Sequence, residues 1–282
     1  MAEILTDISP EGLRAAVETS FFETWMALGA SPRLSVYDGA DMIRYVSNVP
    51  FPVLNGVMRT RFQPEVADRR IEETLSIFQS QRLPMTWWTG PSTEPDDLPS
   101  RLCEHGLEPP GQPRIGLGVD LWQLNATIGR PINLEIYVVD NAELYDECQQ
   151  VLNTAHQIPE DAGRAMAEIT CSAGIGEGSP FRHYLGVKDE RSIATAMLSL
   201  AGGVAGIYNQ ATLPEEHREG IEMAMTLTAL YEARDMDYRI GVLQSTRIGF
   251  NMFRHLGFED VCEIGQYTLT PPPEPEFVPQ QP

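Results

Sequence analysis

The segment from 204 to 258 constrains the fold more than any other part of this 282-residue chain. An apolar run ends at Thr212-Leu213-Pro214, and a charged turn with one glycine, Gly220, leads into a long amphipathic helix. A strand and a short helix that closes on Gly257-Phe258 follow. A glycine turn between a strand and a helix presents unpaired backbone N–H groups at one point, which is a favourable environment for an anion.

The composition is that of an acidic globular protein. Acidic residues number 40 and basic residues 20, so the formal net charge is -20, and hydrophobic residues make up 42% of the chain. This charge repels phosphate backbones and the arginines form no stripe, so we expect no nucleic-acid partner. An acidic surface would steer an amine-bearing substrate favourably. The alternative is that the charge only maintains solubility or reflects a salty cytoplasm.

Cysteine spacing and hydropathy restrict the cofactors and the environment. The four cysteines, Cys103, Cys148, Cys171 and Cys262, form no C-x-x-C pair and none lies at ligand spacing from a histidine, so we expect no metal site. No window reaches the roughly 18 apolar residues of a membrane span, and residues 1–25 lack the basic and apolar regions of a signal peptide. We therefore expect a cytoplasmic protein with no membrane partner and with reduced thiols.

The best place to divide the chain lies between Ala126 and Pro131, where glycine and proline interrupt the pattern. This division predicts an N-terminal domain at 1–129, a second domain at 130–270, and a proline-rich, acidic tail at 271–282. The tail has too few apolar residues to fold alone.

The two predicted domains repeat one path. From Pro84 to Leu121 the pattern predicts a strand, a helix that ends at His105-Gly106-Leu107, and a second strand, and the span from Arg239 to Leu269 repeats this order with Leu256-Gly257-Phe258. Coincidence in so short a pattern is the alternative. The helix predicted at about 64–81 lacks a glycine-bearing turn before it, so we expect no phosphate site in the first domain and a structural or substrate-shaping role for it.

Periodicity and capping residues predict the remaining elements. These are a helix that begins at Ser9-Pro10, strands at 42–47, 56–62 and 133–139, a helix opened by a capping box of Asp140 and Glu143, a helix at about 160–171, and strands at about 183–187, 193–200 and 204–213. Trp87 and Trp88 are adjacent in a predicted strand, so they point to opposite faces, of which one is expected to be core.

The order of elements from about 180 to 270 resembles the acyl-CoA-binding core of the GNAT superfamily of N-acyltransferases. In that family a strand that ends V-x-P precedes the turn motif [Q/R]-x-x-G-x-[G/A], whose small residues let the CoA pyrophosphate approach the backbone. Here the strand ends at Thr212-Leu213-Pro214, and the turn aligns as His217 to Glu222 with Gly220 at the motif glycine. The resemblance implies an α/β (α+β) fold of two GNAT-like units, each a mixed, mostly antiparallel twisted sheet flanked by helices.

The resemblance also implies an activity, the transfer of an acetyl or other acyl group from acyl-CoA to the amine of a small molecule. Acetyl-CoA or another acyl-CoA would be the co-substrate, and the protein would be a monomer or a homodimer. The alternative is a degenerate GNAT-like protein without acyl transfer, which acts by binding a partner or a small ligand. The resemblance assigns no catalytic residue. The residues that it assigns to the cofactor are Gln210, Ala211, Thr212, Arg218, Glu219, Gly220, Ile221, Glu222, Met223 and Thr246.

The aligned residues depart from the family pattern at positions that matter chemically. Glu222 stands where glycine or alanine is usual, and a carboxylate there competes with phosphate for the N–H groups of the helix start. Either Glu222 points outward and CoA binds, or its side chain occupies the anion site and CoA binding is weakened or lost. Phe253 stands where many members carry a tyrosine that protonates the departing thiolate. His217 replaces the first residue of the motif, and Arg218 could supply the missing positive charge.

Three other side chains could face a substrate cleft. His183 lies in a predicted strand, Tyr208 lies in the strand that ends at Pro214, and Glu177 lies in a glycine-rich loop. We expect the first two to be packed core or surface residues and Glu177 to be a solvated loop acid.

Overall fold

The computed structural model describes residues 3–125, 131–217 and 220–271. The α-helices in these ranges are α1 (Pro10–Leu28), α2 (Ala67–Ser80), α3 (Leu98–Glu104), α4 (Ala142–His156), α5 (Glu160–Ser172), α6 (Ile221–Asp235) and α7 (Arg247–Arg254). The strands are β1 (Ser35–Asp38), β2 (Ile43–Val46), β3 (Asn55–Met58), β4 (Met85–Thr89), β5 (Arg114–Asp120), β6 (Leu134–Val139), β7 (Phe181–Lys188), β8 (Arg191–Ser199), β9 (Ala205–Thr212), β10 (Ile240–Ser245) and β11 (Glu259–Leu269).

The eleven described strands form one continuous sheet in the order β1-β2-β3-β4-β11-β5-β10-β9-β8-β7-β6. Two of the described neighbouring pairs are parallel, β3 with β4 and β9 with β10. The other pairs are antiparallel. This is the mixed, mostly antiparallel α/β architecture predicted from the sequence.

The sheet repeats one topology twice and exchanges a strand between the repeats. In the first unit β3 leads through α2 into the parallel neighbour β4, and in the second β9 leads through α6 into the parallel neighbour β10. The last strand of each unit crosses into the other, because β11 lies between β4 and β5 while β5 lies between β10 and β11. The repeated strand–helix–strand path predicted from the sequence is confirmed as β4-α3-β5 and β10-α7-β11. The division between residues 129 and 130 stays a prediction, since residues 126–130 lie outside the described ranges.

Helices cover both faces of the sheet. Leu243 packs in a cluster with residues of α6 and α7, whereas its neighbour Val242 packs in a cluster with residues of α1 and α5. Since successive side chains of a strand point to opposite faces, α6 and α7 lie on one face and α1 and α5 on the other. Trp87 and Trp88 are likewise divided between two clusters, and both are buried, at 0% and 7% exposure. Both faces at β4 are therefore core, whereas the sequence predicted one.

Local capping explains where several helices begin. Ser9 Oγ accepts the Gly12 N–H at 3.1 Å, as predicted for the start of α1. The predicted capping box of Asp140 is wrong by one residue, because the Asn141 side chain accepts the Leu144 N–H at 3.0 Å and serves as the N-cap of α4. Within the described ranges no helix is both long and apolar enough to cross a bilayer.

Candidate functional site

Strands β9 and β10 diverge at the edge of the sheet where the predicted cofactor site lies. They pair in parallel only from Ala205 to Ile207, opposite Gly241 to Leu243. Beyond this point β9 bulges, with Asn209 in the left-handed region at φ 46°, and its register against β8 shifts. The Leu213 N–H donates to Ile193 of β8, so by alternation the main-chain groups of Gln210 and Thr212 point away from β8 toward the gap.

The start of α6 follows this strand end and carries no capping side chain. Gly220 is the N-cap, in the left-handed region at φ 73°. The first intrahelical hydrogen bond runs from Ala224 N–H to the Gly220 oxygen at 3.1 Å, so the N–H groups of Ile221, Glu222 and Met223 precede it. Among the described residues no side chain accepts a hydrogen bond from these three groups. Helices α1, α4 and α7 have a side-chain N-cap, whereas α2, α3 and α5, like α6, have none among the described residues.

The described part of the turn between β9 and α6 is held by two contacts. His217 Nε2 donates to the Thr212 main-chain oxygen at 2.9 Å, which closes the turn back onto the strand end. Lys188 forms an ion pair with Glu216 at 2.8 Å, which joins the turn to the end of β7. Arg218 and Glu219, both assigned to the cofactor by resemblance, lie outside the described residues.

Gln210 joins the strand end to helices on both faces of the sheet. Its Nε2 donates to the Glu222 main-chain oxygen at 2.8 Å and to Thr226 Oγ1 at 2.7 Å, both on α6. Its main-chain oxygen lies 3.2 Å from Nε2 of His156, the last residue of α4. The predicted residues Gln210 and Glu222 are thus brought together by direct contact.

Among the described residues no hydrogen bond joins the Glu222 carboxylate to the N–H groups of the helix start. The side chain is half-buried, and within the described ranges its carboxylate makes neither a hydrogen bond nor an ion pair. No described bond supports the occluding interpretation of this residue, and the choice between the two interpretations stays a prediction. Ala211 and Thr212 are buried at the end of β9, and Met223 is half-buried in the first turn of α6.

The two predicted positions on α7 have structural contacts. Thr246 is exposed and caps the helix, its hydroxyl accepting the Gly249 N–H at 3.3 Å. Phe253 is 4% exposed and packs edge-on against Phe258, with ring centroids 5.8 Å apart. The position where many GNAT proteins carry a tyrosine therefore faces the core in this chain.

The other candidate side chains behave as structural groups. His183 is 2% exposed, its ring packs edge-on against Tyr145 at 4.8 Å, and burial lowers its pKa to about 4. Tyr208 forms a 2.9 Å hydrogen bond with Ser20 of α1, and burial raises its pKa to about 12. Glu177 is exposed in its loop. None of the three is brought to the α6 start by a described contact.

The corresponding turn of the first unit differs in its charges. Its helix α2 begins after Val66, which is not in the left-handed region. Arg59 forms an ion pair with Asp38, and Arg70 forms ion pairs with Asp41 and Glu73. These arginines are engaged by carboxylates of the first unit, and the structural or substrate-shaping role of that unit stays a prediction.

Comparison with solved structures identifies the fold. A GCN5-related N-acetyltransferase from Kribbella flavida superposes with a TM-score of 0.66 at 17% identity, over 90% of this chain and 95% of that chain. A GCN5-related N-acetyltransferase from Sphaerobacter thermophilus gives 0.60 at 14% identity, over 94% of each chain. A tandem GNAT protein from the clavulanic acid biosynthesis pathway gives 0.59 at 13% identity, over 96% of this chain and 98% of that chain.

The chain therefore has the GNAT acetyltransferase fold in its tandem form, over nearly its whole length. No protein-family model matches the sequence, and no curated protein matches it. At these identities the likeness establishes the fold, and the activity must be argued from the site.

Two residues at the site were not predicted from the sequence. His156 and Thr226 both contact Gln210, which lies 54 and 16 residues away in the chain, respectively. Thr226 stands in a run of apolar helix residues, and His156 lies at a helix end, so neither has a local signal of its role.

Proposed function

We propose that this protein is a CoA-dependent N-acyltransferase, with acetyl-CoA or another acyl-CoA as co-substrate and a small-molecule amine as acceptor. In this proposal residues 130–270 carry the cofactor, and residues 1–129 support the sheet and shape the acceptor side. The observation that carries the proposal is the start of α6, where three backbone N–H groups precede the first helical bond and have no described side-chain partner. They lie beside a strand end whose main-chain groups face a gap.

The residues present fit the phosphate-bearing part of such a cofactor. Backbone N–H groups at a helix start and the positive end of the helix dipole are the usual protein partners of a diphosphate. Among the described residues a Cβ at Gly220 would meet only the Met223 methyl group, at 3.6 Å, so these residues leave the approach to the turn open. The Glu222 carboxylate has no described bond to these N–H groups and leaves them available.

The chain's part in the reaction would be to hold and orient. Acyl-CoA supplies a thioester whose carbonyl carbon is attacked by an amine. The N–H groups of Ile221 to Met223 would hold the diphosphate, and the main chain of Gln210 and Thr212 would align the amide-bearing arm along β9. Orientation of this kind can supply much of the rate of an acyl transfer. Since the phenyl ring of Phe253 has no proton to donate, the thiolate would leave unprotonated or take a proton from solvent.

Calorimetric titration with acetyl-CoA tests the proposal. The native chain is expected to bind, and Glu222→Gly and Glu222→Gln are expected to bind about two- to fivefold more tightly, because a first-turn carboxylate is worth about 0.3–1 kcal/mol to a helix start. Glu72→Gln, at an exposed position on α2, is the matched control for loss of one negative charge. If neither the native chain nor the Glu222 variants bind, the proposal is wrong.

A second candidate is a GNAT-like protein that binds a ligand without acyl transfer. It is favoured by the two imidazoles at the strand end, because His156 and His217 bond to the Gln210 and Thr212 oxygens that would otherwise meet the cofactor arm. Binding only after Glu222 is replaced, or tight binding with no CoA release across a panel of amines, would support this candidate. Release of CoA in the presence of an amine would exclude it.

A further inference from the structure

We propose that Gln210 and Thr226 are positioning residues that stabilise the first turn of α6 through a carbonyl group, and so leave its N–H groups available for an anion. We call the Gln210 side chain, the Thr226 hydroxyl and the Glu222 main-chain oxygen the strand–helix clamp. The inference rests on the proposed function for the identity of the anion, a CoA diphosphate. The clamp itself rests on geometry alone.

The hydrogen bonds of the clamp are mutually consistent. Gln210 Nε2 lies 2.8 Å from the Glu222 oxygen and 2.7 Å from Thr226 Oγ1, and it directs one N–H toward these two acceptors. The Thr226 hydroxyl donates its proton to the same Glu222 oxygen at 2.8 Å. The three polar atoms thus form a closed triangle in which the Thr226 hydroxyl both accepts and donates. Thr226 is fully buried and Gln210 is partly buried, so water competes little for these bonds.

A side-chain N-cap would stabilise the same turn, but it would occupy an N–H group that the proposed anion site needs. In α1, α4 and α7 a side-chain oxygen accepts an N–H of the first turn, which removes that donor from any ligand. Helix α6 begins at a glycine with no side chain to do this. The clamp instead stabilises the first turn through hydrogen bonds that the Glu222 main-chain oxygen accepts. All three N–H groups of the turn therefore stay unbonded to described side chains.

The clamp also fixes the distance between the two parts of the proposed cofactor site. Beyond Ile207 strand β9 has no ladder partner on the β10 side. Its end is therefore held laterally by β8, by the Gln210 side chain on the α6 face and by His156 at its main-chain oxygen. A ligand that spans the strand end and the helix start needs these two elements at a constant separation.

The test compares threonine variants within α6. Thr226→Val removes the hydroxyl at nearly constant shape, and Thr226→Ser restores it. Thr228→Val is the matched control, because the Thr228 hydroxyl makes the same kind of bond to the Ala224 oxygen, at 2.9 Å, without a strand partner. Gln210→Met removes the donor from the strand side. A thermal melt of each variant establishes that it is folded.

The expected result is a change in cofactor affinity without a change in chemistry. Thr226→Val and Gln210→Met should weaken acetyl-CoA binding in calorimetry about five- to tenfold, which corresponds to the loss of one or two buried hydrogen bonds. The KM for acyl-CoA should rise by a similar factor with kcat within about twofold. Thr226→Ser and Thr228→Val should stay within about twofold of the native chain. Amide hydrogen exchange at 221–226 should accelerate in Thr226→Val and not in Thr226→Ser.

Two results would overturn the inference in distinguishable ways. If the native chain binds acetyl-CoA and Thr226→Val binds it equally well, the clamp has no positioning role even though the proposed function stands. If the native chain does not bind acetyl-CoA, the proposed function fails, and hydrogen exchange then decides on the clamp. Unchanged exchange at 221–226 in Thr226→Val would refute it, and faster exchange would support it.

Discussion

Acidification should destabilise this protein in part through one buried histidine. His183 is 2% exposed beneath α4, and within the described residues its Nε2 has no hydrogen-bond partner. Burial disfavours the charged imidazolium, so the pKa falls from 6.5 in the unfolded chain to about 4 in the folded one. For a group whose folded pKa is lowered, the contribution to stability is complete above pH 6.5 and is lost as the pH falls toward 4.

The size of the effect follows from the two pKa values. A pH of 4.5 lies two units below the unfolded-state pKa, so His183 is almost fully protonated in the unfolded chain. In the folded chain, where the pKa is about 4, the imidazole is still mostly neutral at this pH. At 1.36 kcal/mol for each unit, the histidine should lower the free energy of unfolding by about 2–3 kcal/mol relative to pH 7. This is a large part of the stability of an ordinary domain.

Equilibrium denaturant unfolding of the native chain and His183→Met, at several pH values between 7 and 4.5, measures this contribution. Methionine fills a similar space without an ionisable group, so subtraction removes the titration of the many carboxylates that both chains share. The stability difference should shift by about 2–3 kcal/mol in favour of the variant as the pH falls. His255→Met, at the exposed end of α7, is the matched histidine-to-methionine control. A flat difference curve for His183→Met would refute the argument that His183 is buried in its neutral form.

Three further predictions concern the site and the division of the chain. In denaturant unfolding, Gly220→Ala should destabilise the α6 start by about 1 kcal/mol, because φ is 73° there. The cost should not be larger, because the added Cβ meets no clash among the described residues. Gly220→Asn should cost less in the same assay, because asparagine tolerates the left-handed region better. Phe253→Tyr should give no gain in acyl-transfer rate and should lower the melting temperature, because the added hydroxyl would be buried against Phe258; a rate gain would contradict the buried placement. Residues 1–129 expressed alone should not fold, since they lack β11, whereas co-expression with 130–282 should give a complex that copurifies.

Where short-range chemistry decides an element, the sequence was sufficient to predict it. Strand β4 spans Met85–Thr89 as predicted, and α1 begins at Pro10 after the Ser9 cap. The strand predicted at 56–62 ends earlier, at Met58, because Arg59 adopts the left-handed region at φ 54°. The four-residue edge strand β1 was missed, since it is short and mostly exposed and therefore has little apolar alternation to detect.

What the sequence could not predict depends on contacts between distant segments. The exchange of β5 and β11 between the units is set by which strands find partners across the whole sheet, and no local pattern encodes it. The same holds for Glu222, whose two predicted alternatives differ only in where its side chain lies relative to three N–H groups. The family motif explains Gly220, while the residues that hold its helix in place, Gln210 and Thr226, become visible only when β9 and α6 are seen in contact.

The strand exchange links the site to the first unit even though that unit has no recognisable phosphate turn. Strand β10, which enters the α7 side of the site, pairs on its far side with β5 of the first unit across six residues. Helix α1 packs across β5, β10 and β11 and reaches Tyr208 of β9 through Ser20. The gap between β9 and β10 therefore has residues of the first unit on one side.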